Sequence, residues 1–164
     1  MTILNAIRES LQKQQCDFRE LHHEPTLTSE DAARVRNEPL RNGGKALLMK
    51  IDANFALFVL PANRRANSKA IRRELGVRKT RFATAEELAE LTSTPEHPGL
   101  VPGSVPPFGE PILPFPLYVD SAIRDNQRIA FNAGSLTDSI IMEIPDYLAL
   151  AAPRKIFDFS QLPD

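Results

Sequence analysis

A mixed α/β fold, with a largely antiparallel central sheet and flanking helices, is what the sequence predicts, on three observations. Segments with apolar residues at helical spacing alternate with short apolar runs of strand length. Two of those runs, 46–51 and 55–60, are separated only by Asp52-Ala53-Asn54, which reads as a hairpin with a three-residue turn and therefore as antiparallel neighbours. The composition, 42% hydrophobic and 25% charged over 164 residues, is that of a soluble globular chain of one-domain size. A chain of this length can bury roughly 68–70% of its unfolded surface and needs no disulfide or metal staple.

The elements follow in order. Ile3, Leu4, Ile7 and Leu11 form an amphipathic stripe, the first helix. Thr28-Ser29-Glu30-Asp31 supplies a capping oxygen and early acidic residues before Ala32, Ala33 and Val35, a second helix start. The hairpin comes next. Asn67 or Ser68 caps a basic helix that ends near Leu75, with Gly76 placed to adopt the left-handed terminus. Thr84 and Glu87 stand at capping-box spacing for a helix through Leu91. Strand-like runs return at 116–120, 128–132 and 139–144, and Pro145 opens a short helix reaching about Leu150.

Between Pro95 and Pro116 lie eight of the 14 prolines and three of the seven glycines. Proline fixes φ and lacks an N–H, so the segment is neither helix nor central strand. The three strands beyond it are too few for a second domain. The segment is therefore expected to be an ordered loop within one domain spanning 1–164.

Several functions are excluded at this level. The 20 basic and 21 acidic side chains nearly cancel, so any polyanion site is a local patch. The sole cysteine, Cys16, cannot form an internal disulfide, which fits a reducing compartment. Arg8 and Glu9 come too early for a secretory signal, and no apolar run approaches the roughly 18 residues of a membrane span. The expectation is a cytoplasmic protein. Residues 41–45, Arg-Asn-Gly-Gly-Lys, lack both the first glycine and the hydroxyl of a nucleotide-hydrolysing loop, since Pro39 and Ala46 stand at those positions. His22, His23, His97 and Cys16 have no zinc spacing, and Ser104 is not in a nucleophile elbow. Neither metal nor organic cofactor is expected.

The run Gly99-Leu100-Val101-Pro102-Gly103-Ser104-Val105-Pro106-Pro107-Phe108-Gly109 exceeds what turn chemistry requires. With GGKALLMK at 43–50, RELGVRKTRFATAEELAELT at 73–92 and FNAGSLTDSIIMEIPDYLAL at 131–150, it resembles the YbaK/ProX family of trans-editing aminoacyl-tRNA deacylases, which also occurs as an inserted editing domain in bacterial prolyl-tRNA synthetases. The resemblance implies a YbaK-like mixed α/β domain that hydrolyses the ester of a misacylated tRNA carrying a small amino acid. It places the family's essential lysine at Lys45, where a fixed ammonium can orient the ester carbonyl or a neighbouring phosphate. It makes Gly103 and Ser104 the catalytic loop, whose amides would face the developing oxyanion, with Pro102, Gly134 and Ser135 bordering the substrate. Members specific for alanine carry asparagine after the lysine, whereas this chain has Ala46, and Thr137 and Asp138 fall where pocket residues vary.

Arg64, Arg65, Lys69, Arg72, Arg73, Arg78, Lys79 and Arg81 stand against the single acid Glu74, a local excess of seven positive charges. Alone, such a run reads as a solvated face. Beside an aminoacyl-tRNA substrate, its members from Arg64 to Lys79 become the expected phosphate contact, which orients a tRNA without reading its sequence. The expected partners are aminoacyl-tRNA and, secondarily, a synthetase. The competing reading is a tRNA- or synthetase-binding module with the same fold and no turnover.

Overall fold

Ten strands, β1 to β10, and five helices, α1 to α5, make up the computed structural model, which describes residues 1–164. Helix α1 spans Ile3–Lys13 and is capped by Thr2, whose hydroxyl accepts from the Asn5 amide; it buries Ile7 and Leu11, the centre of its apolar stripe. Strand β1 follows at Phe18–His22. Helix α2, Ser29–Arg36, starts on Thr28, which accepts from the Asp31 amide, and stops at Asn37 in the left-handed region.

Strands β2 (Gly44–Ile51) and β3 (Asn54–Pro61) form the hairpin, but its turn has two residues where the sequence suggested three. Asn54 pairs with Ile51, leaving only Asp52 and Ala53 outside the ladder. Asp52 takes the left-handed conformation at φ 53°, which a short polar side chain tolerates, and its Oδ1 accepts from the amides of Arg78 and Lys79 at 2.9 Å. That contact fastens the hairpin to β5 (Thr80–Phe82). Short β4 (Arg65–Ala66) precedes helix α3, Ser68–Leu75, capped by Asn67 and closed by Gly76 at φ 65°. Helix α4, Ala85–Thr92, has the reciprocal Thr84–Glu87 capping box. After the proline-rich segment come β6 (Leu117–Asp120), β7 (Arg128–Asn132), β8 (Asp138–Glu143), helix α5 (Ile144–Ala151), β9 (Lys155–Phe157) and β10 (Ser160–Gln161).

Five strands form one sheet in the order β5-β2-β3-β6-β9, antiparallel from β5 to β3 and parallel from β3 to β9. A second, antiparallel sheet has the order β1-β8-β7, and β10 pairs antiparallel with β4. Five of the seven pairings are thus antiparallel, although the largest sheet divides evenly. The parallel half was not legible because β9, three residues long, carries no periodicity of its own.

Strand β3 is apolar on both faces because it is buried on both. Leu57 and Val59 join the main core with Ile129, Phe131, Ile140 and Met142 of the second sheet and with Ile7, Leu11 and Tyr147 of the helices. Ala56, Phe58 and Leu60 face a smaller core under Ile71 of α3, where Phe58 stacks on Tyr118 at 5.2 Å. No helix is long and apolar enough to cross a membrane.

The proline-rich segment is an ordered loop of the main core. Leu100, Val105, Phe108, Leu113 and Phe115 are buried in it. Phe108 meets Phe131 and Tyr147 edge to face at 5.4 Å, and the Tyr147 hydroxyl donates to the Pro107 carbonyl at 2.6 Å. These contacts replace the ladder that proline forbids. They also leave a short tip, Pro102-Gly103, projecting from a fixed base.

Candidate active site

The exposed tip Pro102-Gly103 faces the start of β2 across a cavity of about 270 Å³. Strand β2 contributes Gly44 to Leu47, α2 and the segment before it contribute Thr26, Ser29, Ala32 and Arg36, and Asn132 and Leu136 come from the second sheet and its turn. None of the lining residues is acidic.

Strand β2 is only partly covered at this end. β5 pairs with Met49–Ile51 alone, and the next bond on that side runs from the Ala83 amide to the Leu48 carbonyl. Strand alternation then turns the N–H and C=O of Ala46 away from β3, toward a gap that no strand fills. A second, mainly apolar groove of about 190 Å³ runs from this gap past Phe82, Ala83 and Leu88, sharing Ala46, Leu47, Pro102, Gly103 and Val105 with the first.

Lys45 is half-buried and forms no ion pair or hydrogen bond. Burial pulls its ammonium below the ordinary lysine range, and the Glu30 carboxylate on the first turn of α2 opposes that shift. Lys45 at the start of β2 is therefore a partly desolvated cation that lines the cavity. An ammonium in that state is available for charge that develops on a bound ligand.

Gly103 sits at φ 88°, a conformation natural to glycine. Its carbonyl accepts from Asn132 Nδ2 at 2.8 Å, and its N–H is engaged by no protein group. Ser104 is different. It is 1% exposed, its hydroxyl donates to the Val101 carbonyl at 2.7 Å and accepts from the Val101 amide, and its own N–H donates to the same carbonyl. Its hydroxyl and its amide are both bonded to Val101, closing the turn that shapes the tip Gly103 occupies.

Of the predicted residues, the structure brings together Lys45, Pro102 and Gly103. Gly134 and Ser135 fall outside this cavity, in a separate cleft beside the start of α1. The Gly134 amide donates to the Ser104 carbonyl and the Ser135 hydroxyl to Asp138, so this turn braces the Pro102-Gly103-Ser104 loop from behind and its neighbour Leu136 reaches the cavity instead.

The basic run divides. Arg64 is tied to Ser160 and Arg65 to Asp164, both at the C-terminal end of the chain. Lys69, Arg72, Arg73, Arg78 and Lys79 lie on or just beyond α3, where Arg72 and Lys79 border an open polar groove with Lys50 and Arg81.

Sequence reasoning missed Arg36 and Asn132. Arg36 is 5% exposed and donates to Ser139 Oγ at 2.9 Å, Asn132 Oδ1 at 2.9 Å and the Ala130 carbonyl at 3.4 Å. A signal existed: Arg36 stands four residues after Ala32, on the buried stripe of α2.

Residues 23–150 match the family model of the aminoacyl-tRNA editing domain. The multifunctional Ser/Thr-tRNA deacylase ProXp-y of Escherichia coli K12 is 32% identical over 152 residues, 89% of this chain and 86% of that protein. A proline–tRNA ligase of Shouchella clausii is 35% identical over 89 residues, 54% of this chain but 14% of the ligase. A crystal structure described as a candidate trans-editing enzyme for prolyl-tRNA synthetase superposes with a TM-score of 0.78 at 22% identity over 98% of both chains, a likeness of fold. With the family model covering most of its length and a relative at this identity matched nearly end to end, the chain belongs to the aminoacyl-tRNA editing domain family.

Proposed function

We propose that the cavity between Lys45 and Gly103 is the site at which this aminoacyl-tRNA deacylase hydrolyses the ester of a misacylated tRNA, and that the residue removed is serine or threonine. The observation that carries this reading is the half-buried Lys45 ammonium, in no ion pair, on a cavity that has no acidic lining residue and that is also lined by Gly103, whose amide has no protein partner. Ammonium and amide are the two donors that a tetrahedral oxyanion requires.

In this mechanism the ester carbonyl oxygen takes hydrogen bonds from Lys45 Nζ and Gly103 N–H. Water adds to the carbonyl carbon and transfers a proton away, and the tetrahedral adduct collapses with loss of the ribose oxygen, which takes up a proton. The products are free amino acid and deacylated tRNA. With no carboxylate or histidine lining the cavity, the base that accepts the proton from water is a substrate group, the adjacent ribose hydroxyl or the substrate amine.

Serine and threonine are favoured over alanine on two grounds. Thr26 and Ser29 line the cavity, and neither hydroxyl forms a hydrogen bond within the protein. A site built to hydrogen-bond a substrate hydroxyl discriminates far more strongly than one that only measures a methyl group. The similarity to a Ser/Thr-tRNA deacylase agrees with this choice. We further infer one editing domain over 1–164, a phosphate-contacting role for the cations around α3, and, from the resemblance to part of a proline–tRNA ligase, a free-standing counterpart of a synthetase editing module.

The test is a panel of tRNAs charged with serine, threonine, alanine, cysteine or proline, assayed with the wild type and Lys45→Ala. Accelerated loss of serine or threonine that falls about 10²–10³-fold in the variant, with unfolding unchanged, is the expected result. Binding without hydrolysis across the panel would assign the chain to a non-catalytic module instead.

A further inference from the structure

Arg36 carries a charge that no ion pair neutralises, with the Glu38 carboxylate acting on it only through space. Its guanidinium is 5% exposed, yet it joins no ion pair. Glu38, two residues on, is committed elsewhere: its carboxylate is held by Arg128 at 2.9 and 3.2 Å and by Asn42 at 3.3 Å. Burial pulls its pKa down to about 10 even though the nearby Glu38 carboxylate opposes the shift. An uncompensated buried charge is costly, so a purely structural bridge at this position would be better served by a neutral side chain.

The donors are not exhausted either. A guanidinium has five N–H groups. Nε donates to Ser139 Oγ, one Nη2 hydrogen to Asn132 Oδ1 and one Nη1 hydrogen to the Ala130 carbonyl, which leaves one hydrogen on each terminal nitrogen uncommitted. Terminal guanidinium N–H groups of this kind are good donors to an oxyanion. Arg36 lines the same cavity as Lys45, and no acid lines it. The Asn132 side chain that receives from Arg36 through Oδ1 donates through Nδ2 to the carbonyl of Gly103, so the guanidinium and the loop tip are two ends of one hydrogen-bonded chain.

We propose that Arg36 is a second oxyanion-binding cation of this site, taking with its two free N–H groups an oxyanion from the aminoacylated 3′ end of the substrate while fixing Gly103 through Asn132. Resting on the deacylase reading above, the proposal adds a ligand contact to it. The oxyanion has two sources, the phosphate of the terminal nucleotide or the carbonyl oxygen charged during attack.

The test compares adenosine with adenosine 5′-monophosphate as ligands, and 3′-O-seryl-adenosine with its 5′-phosphorylated form as substrates, for the wild type, Arg36→Gln and Arg36→Lys. If the terminal phosphate is the ligand, the wild type binds the monophosphate at least tenfold more tightly than adenosine, Arg36→Gln reduces that preference to within twofold, and only the phosphorylated substrate loses kcat/KM. If the reacting carbonyl is the ligand, Arg36→Gln lowers kcat on both substrates by 10²-fold or more, as for an oxyanion-hole donor. In either case Arg36→Lys, which keeps the charge without the guanidinium, recovers part of the loss. That variant also carries the test should the glutamine variant not fold. Wild-type kcat/KM and ligand preference in the folded fraction of both variants would overturn the proposal and leave Arg36 a structural tie between α2 and the second sheet. The ligand comparison needs no turnover, so failure of the wild type to hydrolyse either seryl ester would count against the deacylase reading and not against the anion site.

Discussion

Replacing Gly103 with alanine separates the chemistry of the loop tip from its conformation. A Cβ at this position would meet only Leu136 Cδ2, at 3.5 Å, so the change creates no clash. The strain is in the backbone: φ of 88° is disfavoured for an L-residue by about 1–3 kcal/mol. Gly76, at φ 65° and with no atom within 4 Å of where a Cβ would stand, provides a matched control at the end of α3. Both variants should lose comparable stability, about 1 kcal/mol or somewhat more, in urea unfolding. Their activities should diverge. Relief of strain at residue 103 rotates the peptide whose unpartnered N–H is proposed to serve the oxyanion, and loss of one oxyanion donor lowers kcat about 10²–10³-fold. Gly76→Ala should keep the wild-type kcat at saturating seryl-tRNA. Equal kcat in the two variants, after correction for the folded fraction, would refute the assignment of the Gly103 amide to the oxyanion.

Three further expectations follow from individual contacts. If the Lys45 ammonium is the active form, the rate above spontaneous hydrolysis declines as pH rises through its pKa, which burial places below the ordinary 10.5; Glu30 opposes that shift, so Glu30→Gln should move the declining limb to lower pH, and a limb that stays or moves upward would show that Lys45 does not control it. Tyr147→Phe leaves the Pro107 carbonyl without its donor and should cost about 1–3 kcal/mol in denaturant unfolding, whereas a change under 0.5 kcal/mol would mean that the aromatic packing alone holds the loop. Changing Arg72, Arg73, Arg78 and Lys79 together to glutamine should weaken binding of full-length seryl-tRNA and flatten its salt dependence by roughly 0.7–0.9 for each phosphate that is no longer neutralised, while hydrolysis of seryl-adenosine is spared; an unchanged salt slope would place the tRNA elsewhere.

The helices were legible because each carries its own start and stop. Thr28, Asn67 and Thr84 act as caps in the structure as their spacing implies, and Gly76 closes α3. The hairpin was legible from two apolar runs, but not its turn length, since Asn54 looks like a turn residue and only its pairing with Ile51 draws it into the strand. β1, with its Phe-Arg-Glu-Leu-His sequence, was illegible because an edge strand with mostly exposed positions has no alternation to read. The site was half legible. Lys45 and the Pro102-Gly103 tip were marked by specific motifs, whereas Gly134 and Ser135 rested on a weaker match to a loop that borders the family's pocket. Their distance from the cavity follows from the turn, whose backbone is spent on bracing Ser104. Arg36 and Asn132 meet only in three dimensions, through a bond across 96 positions of sequence, and no local pattern encodes that meeting.

The charge of the cavity bears on how an editing site selects its substrate. An aminoacyl ester presents an amine at one end and polarised oxygens at the other. A site that held the amine as an ammonium would place a carboxylate beside it, and none lines this cavity. Lys45 and Arg36 instead supply positive charge, which repels the ammonium form and favours the neutral amine, the form able to accept a proton from attacking water. On the proposed reading, recognition then falls to the side chain of the amino acid, with the hydroxyls of Thr26 and Ser29 rewarding a hydroxyl and Leu136 and Val105 limiting size. In the proposed mechanism, the same absence of carboxylates that leaves the protein without a general base thus keeps one available on the substrate, and both effects rest on cations that the fold holds at the cavity without an ion pair.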